Sequence, residues 1–296
     1  MAEAYSDFAS VYDELMDGTP YEEWKERILR LIEKYGVSKP VRSAGSSEKE
    51  AVEDLAAEEG LTEGEVQREE LEEEILASER DLVVDLGCGT GTLTEMLYQA
   101  GYDMVGVDNS EAMLAKAMEK RDESGSEILY LLQDMRELSL YSTVGTVISV
   151  CDSVNYLLEE EELEQVFSLV NNYLYPGGLF IFDFNTDYKY REVIGDRVIA
   201  ETREDCSFIW ENDYDPEGRI NEYDLTIFLR REGELFERVT ETHLQRGYEP
   251  AEIQMLLERA GLQVLIMRDA DRDGDVVPES ERVYVVAKEC KKSLNA

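Results

Sequence analysis

The stretch VVDLGCGTGTLTEML, residues 83–97, joins an apolar run, an aspartate, three alternating glycines and a helical repeat. The run LVVDL, residues 82–86, is short and apolar enough for a buried strand. Leu93, Met96, Leu97 and Ala100 then recur at helical spacing. Between them, Gly87, Gly89 and Gly91 let the backbone turn sharply and let a ligand approach it closely. A helix starting at about Thr90 aims free N–H groups at that ligand and favours an anionic group. A dinucleotide loop wants its third glycine at 92, which is Thr92. A phosphate-binding P-loop wants Lys-Ser or Lys-Thr after its last glycine, and neither follows.

Working outward, strand and helix patterns alternate. DMVGVD (103–108), ILYLLQD (128–134), GTVISVCD (145–152) and LFIFDFN (179–185) read as further strands, the last beginning after a stop at Pro176-Gly177-Gly178. Helical stripes separate several of them, Ser110 capping one. Such alternation predicts an α/β fold with a parallel sheet covered on both faces. CSFIWENDY, RINEYDLTIFLR and LFERVTETHL then read as three runs of an antiparallel meander. After a helix opened by Pro250, LQVLIMR and ERVYVVAK follow with no helix between them, so they pair antiparallel.

One acid follows each of three successive strands: Asp85, Asp108 and Asp134. In open α/β sheets, ligands bind at that carboxyl edge. S-adenosylmethionine suits the set. Asp85 faces its ammonium and the helix start its carboxylate. Asp108 accepts from the ribose diol. Asp134 accepts from the adenine amine, with Met135 against the ring.

VVDLGCGTGTLT, VGVDNSEAML, LLQDMREL and VISVCDSVNYL occur in order. With them the sequence resembles the class I S-adenosylmethionine-dependent methyltransferases over about 81–185, and more weakly over 246–288. The resemblance implies a Rossmann-like seven-stranded, mostly parallel sheet with an antiparallel last strand, plus the inserted antiparallel β meander. It implies that Asp85, Gly87, Gly89 and Gly91 hold the methionine end, Asp108 and Asn109 the ribose, and Asp134 and Met135 the adenine. Cys151 and Asp152 then lie near the transferred methyl. YSDFASVYDELM (5–16) resembles the cap helix of a bacterial small-molecule subgroup similar to aminosugar N-methyltransferases and glycine N-methyltransferase, which also carries residues like THLQRGY (242–248). The expected division is cap helices over 1–40 (helices at 3–16 and 21–35), an acidic mobile insert over 41–79, the Rossmann-like domain over 80–190 and 246–296, and a β lid over 191–245.

The expected reaction is methyl transfer to N or O of a small molecule. Tyr12, Asn155, Tyr156, His243 and Arg246 are the candidate pocket and catalytic residues, and Tyr5 a candidate cofactor lid. The alternatives are an RNA or protein methyltransferase, or a non-catalytic cofactor-binding regulator. CDSVNY stands where a Pro-Pro-Tyr run would suggest DNA or base-amine substrates.

Composition narrows the classes further. The 296-residue chain carries a net charge of −39, which repels nucleic-acid backbones. Residues 48–79 alone hold 14 acidic residues against Lys49 and Arg68. Four scattered cysteines and one histidine argue against disulfides and a zinc site, and fit a cytoplasmic chain. No apolar run suits a membrane span. DADRDGDVVPESE from Asp269 imitates a calcium loop but has Ser280 at its twelfth position. No metal is expected, and a homodimer is open.

Overall fold

The computed structural model of the protein describes residues 8–41, 63–231 and 233–292. Five parallel strands form its centre: β1 (Leu82–Leu86), β2 (Asp103–Asp108), β3 (Leu129–Leu132), β4 (Val144–Ser149) and β5 (Leu174–Asn185). They lie in the order β5–β4–β1–β2–β3. Two further strands extend the β5 edge, β10 (Leu262–Asp269) and β11 (Arg282–Glu289). β11 runs antiparallel to both β5 and β10. The strand order reverses between β1 and β4, where the carboxyl ends part and leave a crevice.

Side-chain alternation explains why the sheet is covered on both faces. Val83 and Val84 are both fully buried, but in different clusters. Val83 packs with Ile28, Leu31 and Ile32 of α2 (Tyr21–Tyr35) and with Leu93 and Leu97 of α4 (Thr92–Gln99). Val84 packs with Phe167 and Val170 of α6 (Glu160–Tyr173) and with Ile253 and Leu257 of α7 (Pro250–Arg259). Capping sets the helix ends. Ser110 accepts the Met113 N–H at 3.3 Å to open α5 (Glu111–Ser124), and left-handed Gly125 closes it. Pro250 and a Glu249–Glu252 capping box open α7.

Strand β5 starts earlier than its sequence suggests. Pro176-Gly177-Gly178 does not stop the chain. Val144 pairs with Leu174 and Thr146 with Leu179, so the proline and glycines form a bulge inside the pairing. The freed Gly177 N–H donates to Glu289 at 2.9 Å.

The meander has four strands where three runs were expected: β6 (Val198–Thr202), β7 (Cys206–Asp215), β8 (Ile220–Arg230) and β9 (Phe236–Arg246). The additional strand, β6, is an exposed edge whose residues carry no inside–outside alternation. Along the inner face, Leu225, Ile227 and Leu229 form a small core with Cys206, and Phe8, Val11 and Leu15 pack onto it. That packing breaks up the helix expected over 3–16. The chain instead forms a 3₁₀ turn at Phe8–Ser10 and a single turn α1 (Tyr12–Leu15), and residues 1–7 lie outside the described residues.

The second half of the acidic stretch is α3 (Glu63–Asp81), which runs straight into β1. Leu71, Ile75 and Leu76 on it are at least half exposed. Residues 42–62 of the expected mobile insert lie outside the described residues. Among the described residues, no helix is long and apolar enough to cross a membrane.

Candidate active site

Over the carboxyl ends of β1, β2 and β4 lies a hollow open to solvent. The glycine loop forms its floor. Gly89, at φ +55°, has nothing within 4 Å of where a Cβ would stand, so its bare backbone faces open space. Gly91, at φ +73°, has Tyr130 Oη only 2.5 Å from that position, so a side chain is excluded by contact as well as by conformation. Gly87 lines the hollow and also has positive φ.

Asp85 lines the hollow and is 2% exposed. Thr94 Oγ1 donates to its carboxylate at 2.6 Å. Burial pushes the Asp85 carboxyl up to about 7; the Thr94 hydrogen bond opposes this and the Asp108 charge adds to it. Among the described residues no cation pairs with Asp85, so a ligand ammonium would relieve a carboxyl that burial otherwise keeps near half-protonated at neutrality.

At the end of β2, Asp108 accepts the Gly89 N–H on one oxygen and the Ser110 N–H on the other, both at 2.8 Å. Each carboxylate oxygen has a second lone pair, so these bonds, with the Asn109 N–H also acting on the carboxylate, fix its orientation and leave acceptor capacity for a ligand. Burial raises its carboxyl above the usual range, against the backbone hydrogen bonds. Asn109 lines the hollow beside it.

The third acid departs from expectation. Gln133 and Met135 line the hollow, whereas Asp134 does not. Its carboxylate caps the 3₁₀ turn Met135–Glu137 and grips the Arg136 guanidinium at 2.6 Å, which holds its pKa low. Arg136 also bridges to Glu162. As the N-cap of that turn, Asp134 directs its carboxylate to the Arg136 N–H and guanidinium instead of the hollow.

In the loop after β4, Cys151 (φ 66°) and Asp152 (φ 54°) both hold left-handed backbone without being glycine. Each costs on the order of 1–2 kcal/mol. Cys151 lines the hollow, with Tyr12 Oη 3.9 Å from its Sγ. Burial pushes the Cys151 thiol up to about 12, and Cys88 also rises, chiefly through burial. Neither thiol is poised as a nucleophile.

The loop after β4 does something the sequence did not disclose: it fastens the four-stranded sheet. Asp152 accepts Gln245 Nε2 at 2.6 Å, so its carboxylate turns to β9 and away from the hollow. Asn155, expected in the pocket, is fully buried. It donates to the carbonyls of Asn185 (2.9 Å) and Arg246 (2.7 Å) and accepts the Asn185 N–H at 2.9 Å. It is a clamp with no hydrogen-bonding capacity to spare along these directions.

Arg246 also leaves the pocket set. It pairs with Glu252 at 2.7 Å, donates to the Leu158 carbonyl and lies over the Tyr248 ring. His243 is buried behind Tyr156 and does not line the hollow, whereas Tyr156 and Tyr12 do. Tyr5 falls outside the described residues.

Several contributors escaped the sequence reading. Asp13 accepts Thr90 Oγ1 at 2.6 Å and Thr92 Oγ1 at 3.2 Å, and pairs with Lys120 at 2.7 Å. It thereby straps the N-terminal turn to the glycine loop. Tyr21 and Ser153 line the hollow too. Nothing in their local pattern marks them, because their roles arise from chain segments far apart in sequence.

The Asp269 loop closes on itself. Its carboxylate accepts the N–H groups of Asp271 and Arg272 and the Ser280 hydroxyl. Among the described residues there is no cluster of three His, Cys, Asp or Glu side chains able to hold a metal.

Residues 83–178 match the family of methyltransferase domains. A protein of Geobacillus sp. (strain WCH70), provisionally named a methyltransferase, is 31% identical over 284 residues, which covers 96% of this chain and 99% of that one. The dTDP-3-amino-3,4,6-trideoxy-alpha-D-glucopyranose N,N-dimethyltransferase of Streptomyces venezuelae is 25% identical over 189 residues, 63% of this chain and 77% of its own length. Among solved structures, an S-adenosylmethionine-dependent methyltransferase from Clostridium acetobutylicum superposes with a TM-score of 0.73 at 26% identity, over 98% of this chain and 100% of that one.

Proposed function

The chain belongs to the class I S-adenosylmethionine-dependent methyltransferases, and from that premise we propose that it methylates a nitrogen or oxygen of a small molecule. One observation carries the choice of acceptor. The hollow that suits the cofactor is flanked at its methyl end by Tyr12 and Tyr156, and Tyr156 bonds directly to the four-stranded sheet. An acceptor would enter between these two tyrosines. The similarity to the Streptomyces venezuelae aminosugar enzyme supports the same class.

The residues fit the cofactor. Asp85 is buried and has no cation partner among the described residues, as a site for an ammonium requires. Gly89 offers unshielded backbone, and Asp108 presents an oriented carboxylate for a ribose diol. Met135 and Gln133 stand where the adenine would lie. When bound, the cofactor supplies an electrophilic methyl on a positively charged sulfur.

What remains for the protein is alignment and water exclusion. Tyr12 and Cys151 border the methyl end, and Phe8, Val11 and Leu15 seal the N-terminal segment to the sheet. We read that sheet, residues 191–245, as the lid, and residues 80–190 with 246–296 as the cofactor-binding body.

Calorimetry with S-adenosylmethionine and S-adenosylhomocysteine tests the cofactor, and a metabolite panel run beside ribosomes and bulk tRNA tests the acceptor. Turnover on a metabolite alone supports the reading. Turnover on RNA or on ribosomal protein overturns the acceptor class, and binding without turnover on anything marks a regulator.

A further inference from the structure

The lid presses a file of hydrogen-bonding side chains against the methyl end of the hollow. Tyr156, on the wall of the hollow, has its Oη 2.8 Å from Tyr223 Oη and 3.1 Å from His243 Nδ1. Beyond the imidazole, Nε2 is 3.3 Å from a Glu241 carboxylate oxygen. The other Glu241 oxygen accepts the Phe8 N–H at 3.0 Å. Tyr223, Glu241 and His243 are all buried. Strand geometry explains the file. Glu241 and His243 lie two residues apart on one face of β9, and Tyr223 of β8 is paired opposite His243, with the two rings stacked 5.0 Å apart.

We propose that this file is a proton relay in which Tyr156 takes a proton from the methyl acceptor and passes its own to His243, with Glu241 holding the resulting imidazolium. The proposal rests on the methyltransferase reading above and adds the group that deprotonates the acceptor.

The placement of charge and acceptors supports it. With Glu241 ionised, a proton on Nε2 lies 3.3 Å from a negative charge, which leaves Nδ1 free to accept from Tyr156. Tyr223 then donates to Tyr156 Oη. The groups facing His243 are Tyr156 and Tyr223 on one side and Glu241 on the other, with Asp152 acting on Tyr223 at longer range.

The step balances. A lone pair on the acceptor atom forms the new bond to the methyl carbon while the S–C bond breaks and its electrons return to sulfur. The proton on the acceptor atom moves to Tyr156 Oη, and the Tyr156 hydroxyl proton moves to Nδ1. The positive charge that leaves sulfur ends on the imidazolium. A phenol alone is a poor base near neutrality, with a pKa of about 10. Handing its own proton to Nδ1 as it takes the acceptor's, it acts without having to ionise first. His243 itself is too deeply buried to reach the acceptor, and Tyr156 bridges the gap.

The chain contains a single histidine, so one ¹⁵N-labelled imidazole reports the relay without overlap. In the wild-type protein bound to S-adenosylhomocysteine, the expected state at pH 8 is protonated at Nε2 and bare at Nδ1. Tyr156→Phe should shift the Nδ1 resonance. In parallel, S-adenosylhomocysteine release is followed with glucosamine, glycine and ethanolamine as acceptors. With any acceptor that turns over, Tyr156→Phe should cut kcat about 100-fold with little change in KM. Glu241→Gln should lower kcat and shift the Nε2 resonance while keeping wild-type affinity for S-adenosylhomocysteine, because Glu241 does not line the hollow.

A proton on Nδ1, or wild-type kcat in Tyr156→Phe, overturns the relay. Bound S-adenosylhomocysteine with no turnover on the three acceptors counts against the acceptor class, and the imidazole spectrum then decides the relay alone. Failure to bind S-adenosylhomocysteine sinks the cofactor reading, a result distinct from either.

Discussion

Thr94 Oγ1, on the first turns of α4, donates a 2.6 Å hydrogen bond to the Asp85 carboxylate at the end of β1. The bond crosses the glycine loop and ties its two ends together. It also sets the ionisation of the acid that faces the expected ammonium.

Asp85 makes cofactor affinity depend on pH. Its carboxyl ordinarily ionises at 3.8 and is pushed up to about 7 here, chiefly by burial. An ammonium binds the ionised form, so affinity for S-adenosylhomocysteine should fall about tenfold per pH unit below that value. Thr94→Val removes the hydrogen bond that lowers the pKa, so the acid limb should move to higher pH. Asp85→Asn should bind weakly and show no such limb. Calorimetry from pH 5 to pH 8, with buffers matched for ionisation enthalpy, reads all three.

The same shift governs stability of the ligand-free protein. Between 3.8 and about 7 the folded chain keeps a proton on Asp85 that the unfolded chain has released. The folded state binds more protons in that window, so this group's contribution to stability falls as pH rises through it and levels off above. Asp85→Asn should lack that loss and should melt higher than wild type at pH 8 without ligand. A lower melting temperature for Asp85→Asn at pH 8 would contradict the buried-carboxyl account.

Much of this region was legible because local pattern and tertiary role coincide. Val83 and Val84 are apolar on both sides of β1, as a buried parallel strand requires, and both β1 and β2 span the residues their runs indicated. Asp134 and Asn155 were misplaced for the opposite reason. Both stand in motif positions, but Arg136 takes the one, and Asn185 with the Arg246 carbonyl takes the other. Whether a polar side chain meets ligand or protein depends on a partner from another segment, and a linear pattern does not contain that partner. Asp13 shows the converse, a residue of no visible pattern that binds the glycine loop.

Asp108 should matter to the cofactor more than to the fold. Its backbone hydrogen bonds orient a carboxylate that lines the hollow. Asp108→Ala removes charge-assisted hydrogen bonds worth roughly 1.5–3 kcal/mol each. Affinity for S-adenosylhomocysteine should therefore drop at least about tenfold. Adenine alone, which lacks the ribose diol, should lose little. Equal losses for both ligands in a titration would mean that Asp108 serves the loop and not the ribose.

Asn155 should behave as a structural clamp. All three of its hydrogen bonds are to backbone, two of them to Asn185. Asn155→Ala takes a partner from two carbonyls and one N–H in a buried place, at about 1–3 kcal/mol for each group left unpaired, although the Asn185 carbonyl keeps the Tyr248 N–H at 3.5 Å. Urea unfolding should show a large loss of stability. Asn155→Asp keeps the acceptor for the Asn185 N–H but faces two carbonyls with a carboxylate, so it should be no better tolerated than alanine.

Gly91 offers the most specific check of the loop. A Cβ there meets Tyr130 Oη at 2.5 Å and Ala117 Cβ at 3.0 Å, on a backbone at φ +73°. Gly91→Ala thus carries two separable penalties, a left-handed conformation costing roughly 1–2 kcal/mol and a steric clash. Tyr130→Phe removes the clashing oxygen and leaves the conformational penalty untouched. It also removes a buried hydroxyl with no hydrogen-bond partner among the described residues, so the single change should cost little. The double variant should recover part of the stability lost by Gly91→Ala, never all of it. A double-mutant cycle by urea unfolding measures this coupling, and strictly additive losses would show that Tyr130 does not press on the loop.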